Sequence, residues 1–288
     1  MADPTAFHGY RGEQVDIGGR RLRVVRAGLA SEAPMIILEC GAFGCAADWA
    51  VVQDRLAAQG LASLAYDRAG LGYSDPGPAP RDGQAIVSDL ETLLHRLEIE
   101  GPLLMVGHSM AGLMLRIFVG RNRHRVRGLV LVDAVTSETI ENPAAARAIA
   151  GFQKVLALVG RYADLGFMRP VSWVIGDKIG LGSDASREKR RIYGLASHAR
   201  WSADEVAHWS TTSQQGRDLG HHPPDLPVAV VTAGAVPLSQ DLRALQSAPA
   251  RASTKGYLAQ VGGAGHANLL GLRFADSIIE GIHHVLKA

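Results

Sequence analysis

Short apolar runs rich in β-branched residues alternate along this chain with longer stretches whose apolar residues recur every three or four positions. That rhythm builds βαβ units and a mostly parallel sheet, because a strand covered by helices on both faces has no polar side to present. The chain opens on runs at 15–17 and 21–27 that flank Gly18-Gly19 and predict an antiparallel hairpin. Strands are expected next at 35–39, 61–66, 103–106 and 129–132, with covering helices over 48–59, 82–97 and 110–121. After Asp133 the strand rhythm stops for about 90 residues, too long for one loop, and helical patterning broken by Pro143, Pro170, Gly176, Gly180 and Gly182 takes its place. The rhythm resumes with a strand at 228–232, a helix near 239–246, a strand near 257–261 and a closing helix near 274–286. The expected organisation is an α/β core formed by 1–134 and 225–288, with a helical cap inserted at 135–224.

Composition excludes several classes of function. With 288 residues, 47% of them hydrophobic and 20% charged, the chain can bury a full core, so disorder is not the default. A formal charge of +2 gives no general attraction to polyanions, and the one basic run, Arg121, Arg123, Arg125 and Arg127, lacks interleaved aromatic residues. No partner nucleic acid is expected. No window approaches the roughly 20 apolar residues of a membrane span, and residues 1–12 hold no apolar run of signal-peptide length. Two cysteines, Cys40 and Cys45, are too few for a stapled secreted protein, and a cytoplasmic location is the expectation.

The most informative segment follows the run 103–106: Gly107-His108-Ser109-Met110-Ala111-Gly112, continuing at once into a helical pattern. Strand, tight turn and helix put a serine on a constrained backbone at the end of the sheet, and small residues two places to either side allow close approach of neighbouring elements. Gly107 and Ala111 meet that requirement. A helix beginning at the serine also turns free N–H groups and a positive dipole end toward any oxyanion formed there. The segment resembles the nucleophile elbow of the α/β-hydrolase family, departing from G-x-S-x-G only in Ala111. Residues 67–75, Asp67-Arg68-Ala69-Gly70-Leu71-Gly72-Tyr73-Ser74-Asp75, are similar to a loop whose role in the family is architectural, and no chemistry is assigned to it. The resemblance covers 15–132 and 226–288 and implies an α/β-hydrolase fold, its mostly parallel sheet covered by helices on both faces.

A serine hydroxyl needs a base within hydrogen-bond reach, and histidine has the suitable pKa. Of eleven histidines, His266 alone lies in a glycine-rich loop, Gly262-Gly263-Ala264-Gly265-His266, between the last strand and the closing helix. Family members that resemble this chain carry the catalytic histidine there. His108 is read as a packing and orienting residue, and the pairs His221-His222 and His283-His284 lack the company of metal ligands. For the triad acid the resemblance leaves two candidates. Asp133, ending the strand after the nucleophile helix, is preferred to Asp241, the first carboxylate after the strand that follows the cap; Asp225 precedes that strand, at the wrong end of the sheet. The oxyanion hole implied by the family takes one N–H from Met110 and one from the loop Cys40-Gly41-Ala42-Phe43-Gly44, by position Ala42, with Phe43 as the alternative.

The expected activity is hydrolysis of an ester, or a related acyl bond, of a small and moderately apolar substrate, without cofactor or metal. Carbon–carbon bond hydrolase, lactonase, thioesterase, acyltransferase and small-molecule receptor are the competing roles of such a fold. Phe152, Phe167, Met168, Trp173, Trp201 and Trp209 supply apolar bulk in the cap, for a pocket or for the cap's own core.

Overall fold

The computed structural model describes residues 11–29, 32–166, 170, 172–173, 177–236 and 238–288. Phe167, Met168 and Gly176 lie outside them. The described strands are β1 (Glu13–Asp16), β2 (Arg21–Ala27), β3 (Met35–Glu39), β4 (Ser63–Tyr66), β5 (Leu103–His108), β6 (Val126–Val132), β7 (Val228–Ala233) and β8 (Gly256–Val261). They form one sheet in the order β1-β2-β4-β3-β5-β6-β7-β8, antiparallel at β1–β2 and β2–β4 and parallel elsewhere.

Successive side chains of one strand serve opposite cores, which is why these runs are apolar without a break. In β5, Leu103 and Met105 join one apolar cluster while Leu104 and Val106 join the other. Helices α1 (Ala50–Ala58) and α10 (Asp276–Lys287) cover one face; α2 (Gly83–Arg96), α3 (Ala111–Arg121) and part of α9 (Gln240–Ala252) cover the other. The Asp82 side chain caps α2 by accepting from the Ala85 N–H at 3.0 Å. β6 begins three residues earlier than expected. Arg127 points outward between Val126 and Gly128, and the ladder with β5 runs on through a bulge at Leu103/Leu104 that the apolar pattern does not register.

Between β6 and β7 the described residues form helices and no strand: α4 (Ser137–Glu141), α5 (Pro143–Tyr162), α6 (Ser183–Tyr193), α7 (Ala196–Ala207) and α8 (Trp209–Asp218). They do not sit apart from the sheet's own helices. Val206 and Trp209 belong to the same apolar cluster as α2 and α3, and α8 packs on both of those helices.

Chain order reverses direction across the sheet between β3 and β5, which lie side by side although β4 separates them in sequence. At such a switch point the loops leaving the carboxyl ends of adjacent strands diverge and leave a crevice. Here those loops are 40–44 and the turn at Ser109.

Candidate active site

β5 ends in a turn whose geometry is strained at the residue that matters. Ser109 has φ 56°, a conformation that costs any residue bearing a Cβ, and it is held by its own backbone. The Ser109 N–H donates to the Val132 carbonyl at 3.1 Å, and the Ser109 carbonyl accepts from Gly112 and Val135 at 3.1 and 2.8 Å. The small residues around it leave room for a close approach. A Cβ on Gly107 would lie 2.5 Å from Leu115 Cδ1 and 2.9 Å from the Ala111 Cβ, and one on Gly41 would lie 3.0 Å from the Ser109 Cβ, so a larger residue at either position would force the elbow or its neighbours to shift.

The structure brings together residues that stand far apart in the chain. His266 Nε2 is 3.0 Å from Ser109 Oγ, and His266 Nδ1 is 2.6 Å from Asp133 Oδ2. Asp133 Oδ1 accepts from the Ala233 N–H at 3.1 Å and from Gln246 Nε2 at 2.8 Å. Burial opposes ionisation of Asp133, but the hydrogen bond and charge of His266 together with these two donors outweigh it and hold the carboxyl below its usual pKa. Asp241 is exposed at the start of α9 and takes no part. The helix that carries it contributes Gln246 instead. Asp225 pairs with Arg123 at 3.0 Å at the opposite end of the sheet.

His108 secures the histidine loop from below. Its Nε2 donates to the His266 carbonyl at 2.9 Å, and the two rings pack with centroids 4.6 Å apart. Burial, reinforced by the nearby His266, pushes its pKa down to about 3, so it is a neutral support. The Ala42 and Met110 N–H groups have no hydrogen-bond partner among the described residues. Ala42 lines the cavity above Ser109, whereas Phe43, at φ 58°, turns its ring against Tyr193 and His198. Both cysteines are buried free thiols, and burial raises each pKa well above the ordinary thiol value, so neither supplies a thiolate near neutral pH.

Two residues that sequence reasoning passed over hold the loop after β3 in place. Arg68 is fully buried; its guanidinium donates to the Cys40 and Gly41 carbonyls at 2.7 and 2.9 Å, to Glu39 at 2.7 Å and, on α7, to both oxygens of Glu205 at 2.7 and 2.8 Å. The segment 67–75 is architectural, and what it supports is this loop. His198, also on α7, accepts from the Gly72 N–H at Nδ1 (3.0 Å) and donates from Nε2 to the Phe43 carbonyl (3.3 Å). A proton on Nδ1 would face another donor. Burial accordingly pushes its pKa down to about 3. No sequence signal marks either role, because every partner but Glu39 and the two carbonyls near it lies more than 100 residues away.

His198 sets an acid dependence of stability. The unfolded chain binds a proton on this residue below about pH 6.5 that the native fold refuses until about pH 3, so native stability contributed here is present above 6.5 and falls as pH is lowered. Glu188, pushed up to about 7 by burial, titrates in the opposite sense, so the informative quantity is a difference between variants. Urea denaturation of wild type and His198→Gln at pH 7, 6 and 5 should show wild type losing about 1.4 kcal/mol more per pH unit than the variant below 6.5. Parallel pH profiles would refute the neutral buried histidine.

A cavity of about 460 Å³ opens over Ser109 and His266, walled by Ala42, Val135, Ile149, Phe152, Trp209 and Tyr193 among others. Its size suits a small organic molecule. Of the aromatic residues between β6 and β7, Phe152 and Trp209 line it, Trp201 packs over Gly70, and Trp173 is exposed beneath Arg190. Among the described residues no cluster of His, Cys, Asp or Glu could hold a metal ion, and no helix is long and apolar enough to cross a membrane.

An eight-stranded, mostly parallel sheet in this order, covered by helices on both faces and with its candidate site at the switch point, is the α/β-hydrolase fold. The chain matches the family described as alpha/beta hydrolase fold over residues 34–158. It is 27% identical over 179 residues to an uncharacterized protein of Schizosaccharomyces pombe, covering 59% of this chain and 31% of that one. The chain spans about a third of the length of the curated relatives it first matches. Among solved structures it is similar to a thermophilic esterase from Thermogutta terrifontis, with TM-score 0.69 and 19% identity over 96% of this chain and 99% of the other. It is likewise similar to the enol-lactonase from Burkholderia xenovorans LB400, with TM-score 0.68 and 16% identity over 96% and 100%.

Proposed function

We propose that the protein is a serine hydrolase that cleaves an ester bond of a small, moderately apolar substrate through Ser109, His266 and Asp133. The observation that carries this reading is the unbroken series from Ser109 Oγ through His266 to Asp133, with distances of 3.0 and 2.6 Å, opening on a cavity of about 460 Å³. In this reading His266 Nε2 takes the Ser109 proton as the hydroxyl attacks the ester carbonyl. Asp133 keeps the other ring proton on Nδ1 and stabilises the imidazolium. The carbonyl oxygen, now negative, is met by the N–H groups of Ala42 and Met110, which are free to donate. His266 returns the proton to the leaving alcohol, and a water molecule activated by the same imidazole hydrolyses the acyl-enzyme. No step requires a metal or cofactor. The helices over 135–224 act as the cap that shapes the acyl site.

Serine at position 109 favours this chemistry over an epoxide hydrolase or dehalogenase, which would call for an aspartate there. Turnover of p-nitrophenyl esters of graded acyl length, in parallel with Ser109→Ala, tests the reading. Serine-dependent turnover with an optimum at short to medium chains is expected from the cavity's size; a folded protein inert toward every ester would overturn it.

A further inference from the structure

The cavity over Ser109 is not uniformly apolar. Lys189 on α6 and Asp48 in the 3-10 turn Ala46–Trp49 form a buried ion pair in its wall, beside Tyr193. Only about 4% of the Lys189 side chain and 7% of that of Asp48 are exposed. A buried pair adds little stability over apolar residues of the same volume, so its presence in a cavity wall calls for a further role. One oxygen of Asp48, Oδ1, accepts both from Lys189 and from the Cys45 thiol, the latter at 3.5 Å. The ammonium is not fully spent: of its three donors one serves Asp48 and a second engages the Tyr193 side chain, whose ring centre lies 4.5 Å away. Its charge is felt in the elbow, where it helps keep His108 neutral. A second cation, Lys178, stands exposed on the same cavity, while its neighbour Asp177 is turned into its own loop, accepting from the N–H groups of Ile179, Gly180 and Leu181. Apart from the Ser109–His266–Asp133 series, two cations and one anion among the described residues line the space, a net positive lining shared with the apolar side chains of Ile149 and Phe152.

We infer that Lys189, assisted by Lys178, binds a carboxylate at the far end of the substrate's acyl chain, so that the preferred substrate is a monoester of a dicarboxylic acid or a lactone bearing a free carboxylate. This rests on the proposed hydrolase reading for its catalytic consequence but not for the binding itself. Charge-assisted hydrogen bonds from an ammonium in a confined site give the anion a selectivity that water-exposed lysines do not. Binding and turnover are therefore tested separately.

Mono-p-nitrophenyl succinate and glutarate are compared with p-nitrophenyl esters of butanoate and pentanoate, by wild type, Lys189→Met and the double variant Asp48→Asn/Lys189→Met, which removes the pair without stranding a buried carboxylate. Wild type should show kcat/KM at least about tenfold higher for the acidic esters, and the ratio should fall to about one in the double variant. Free glutarate, with butanoate as control, is titrated calorimetrically into Ser109→Ala with and without the double change. Glutarate binding lost with the pair, even where no ester is turned over, upholds the subsite and counts only against the hydrolase. Ester turnover with no acid preference and no glutarate binding sinks the subsite and leaves the hydrolase. A double variant that lowers Tm while leaving the acid-to-neutral ratio as in wild type makes the pair a latch between cap and core and overturns the proposal.

Discussion

Ser109→Ala is expected to give a folded protein whose turnover of p-nitrophenyl esters falls by at least about four orders of magnitude. Removal of Oγ takes away the only atom at the elbow that His266 is placed to activate, at 3.0 Å, so no acyl-enzyme forms and no burst of nitrophenol precedes the steady state. The fold should tolerate the change. Serine already carries a Cβ at φ 56°, so alanine adds no backbone strain, and the bonds that hold the turn, to Val132, Gly112 and Val135, are all main-chain. A Tm equal to or above that of wild type, the usual result of relieving a functional constraint, would assign the loss to chemistry. Turnover retained within about tenfold would remove Ser109 from the mechanism.

The second large effect separates two aspartates. Asp133→Asn should lower kcat by about 10⁴ with little change in fold, whereas Asp241→Asn should stay within a factor of about two of wild type. An amide at 133 still offers an oxygen to the Ala233 N–H and to Gln246. The group facing His266 Nδ1 can then be an NH₂ donor, which binds the tautomer with its proton on Nε2. That tautomer cannot take a proton from Ser109. Asp241, exposed in the first turn of α9, can affect the site only through the distant end of the helix that delivers Gln246. The opposite ranking of the two variants would reverse the assignment.

Much of this site was legible before any coordinates. The elbow and the histidine loop are local patterns: a strand, a tight turn and a helix within a dozen residues, and a glycine-rich loop between the last strand and the last helix. Short-range periodicity and steric demand mark such features directly. Asp133 was open against Asp241 because both stand at plausible distances along the chain from His266. What separates them is where each side chain ends up: the turn after β6 brings Asp133 to 2.6 Å from His266 Nδ1, while Asp241 stays exposed at the start of its helix.

The roles of Arg68, His198 and Lys189 had no such signal. Arg68 reads as one residue of an architectural loop, yet it joins the carbonyls of Cys40 and Gly41 to Glu205, 137 residues away. His198 and Lys189 sit on helices whose own patterns say only that they are amphipathic, and what they touch follows from how the inserted helices settle over the sheet.

Sequence by itself therefore determined the class of fold and singled out Ser109 and His266 as the candidate nucleophile and base, since each is written in the spacing of neighbouring residues. Only the tertiary structure set Asp133 rather than Asp241 beside His266, supplied the supports of the loop after β3 and gave the cavity over Ser109 its charge. Those depend on contacts between segments more than 100 residues apart, where a buried charge finds its partner through packing and leaves no periodic trace in the chain.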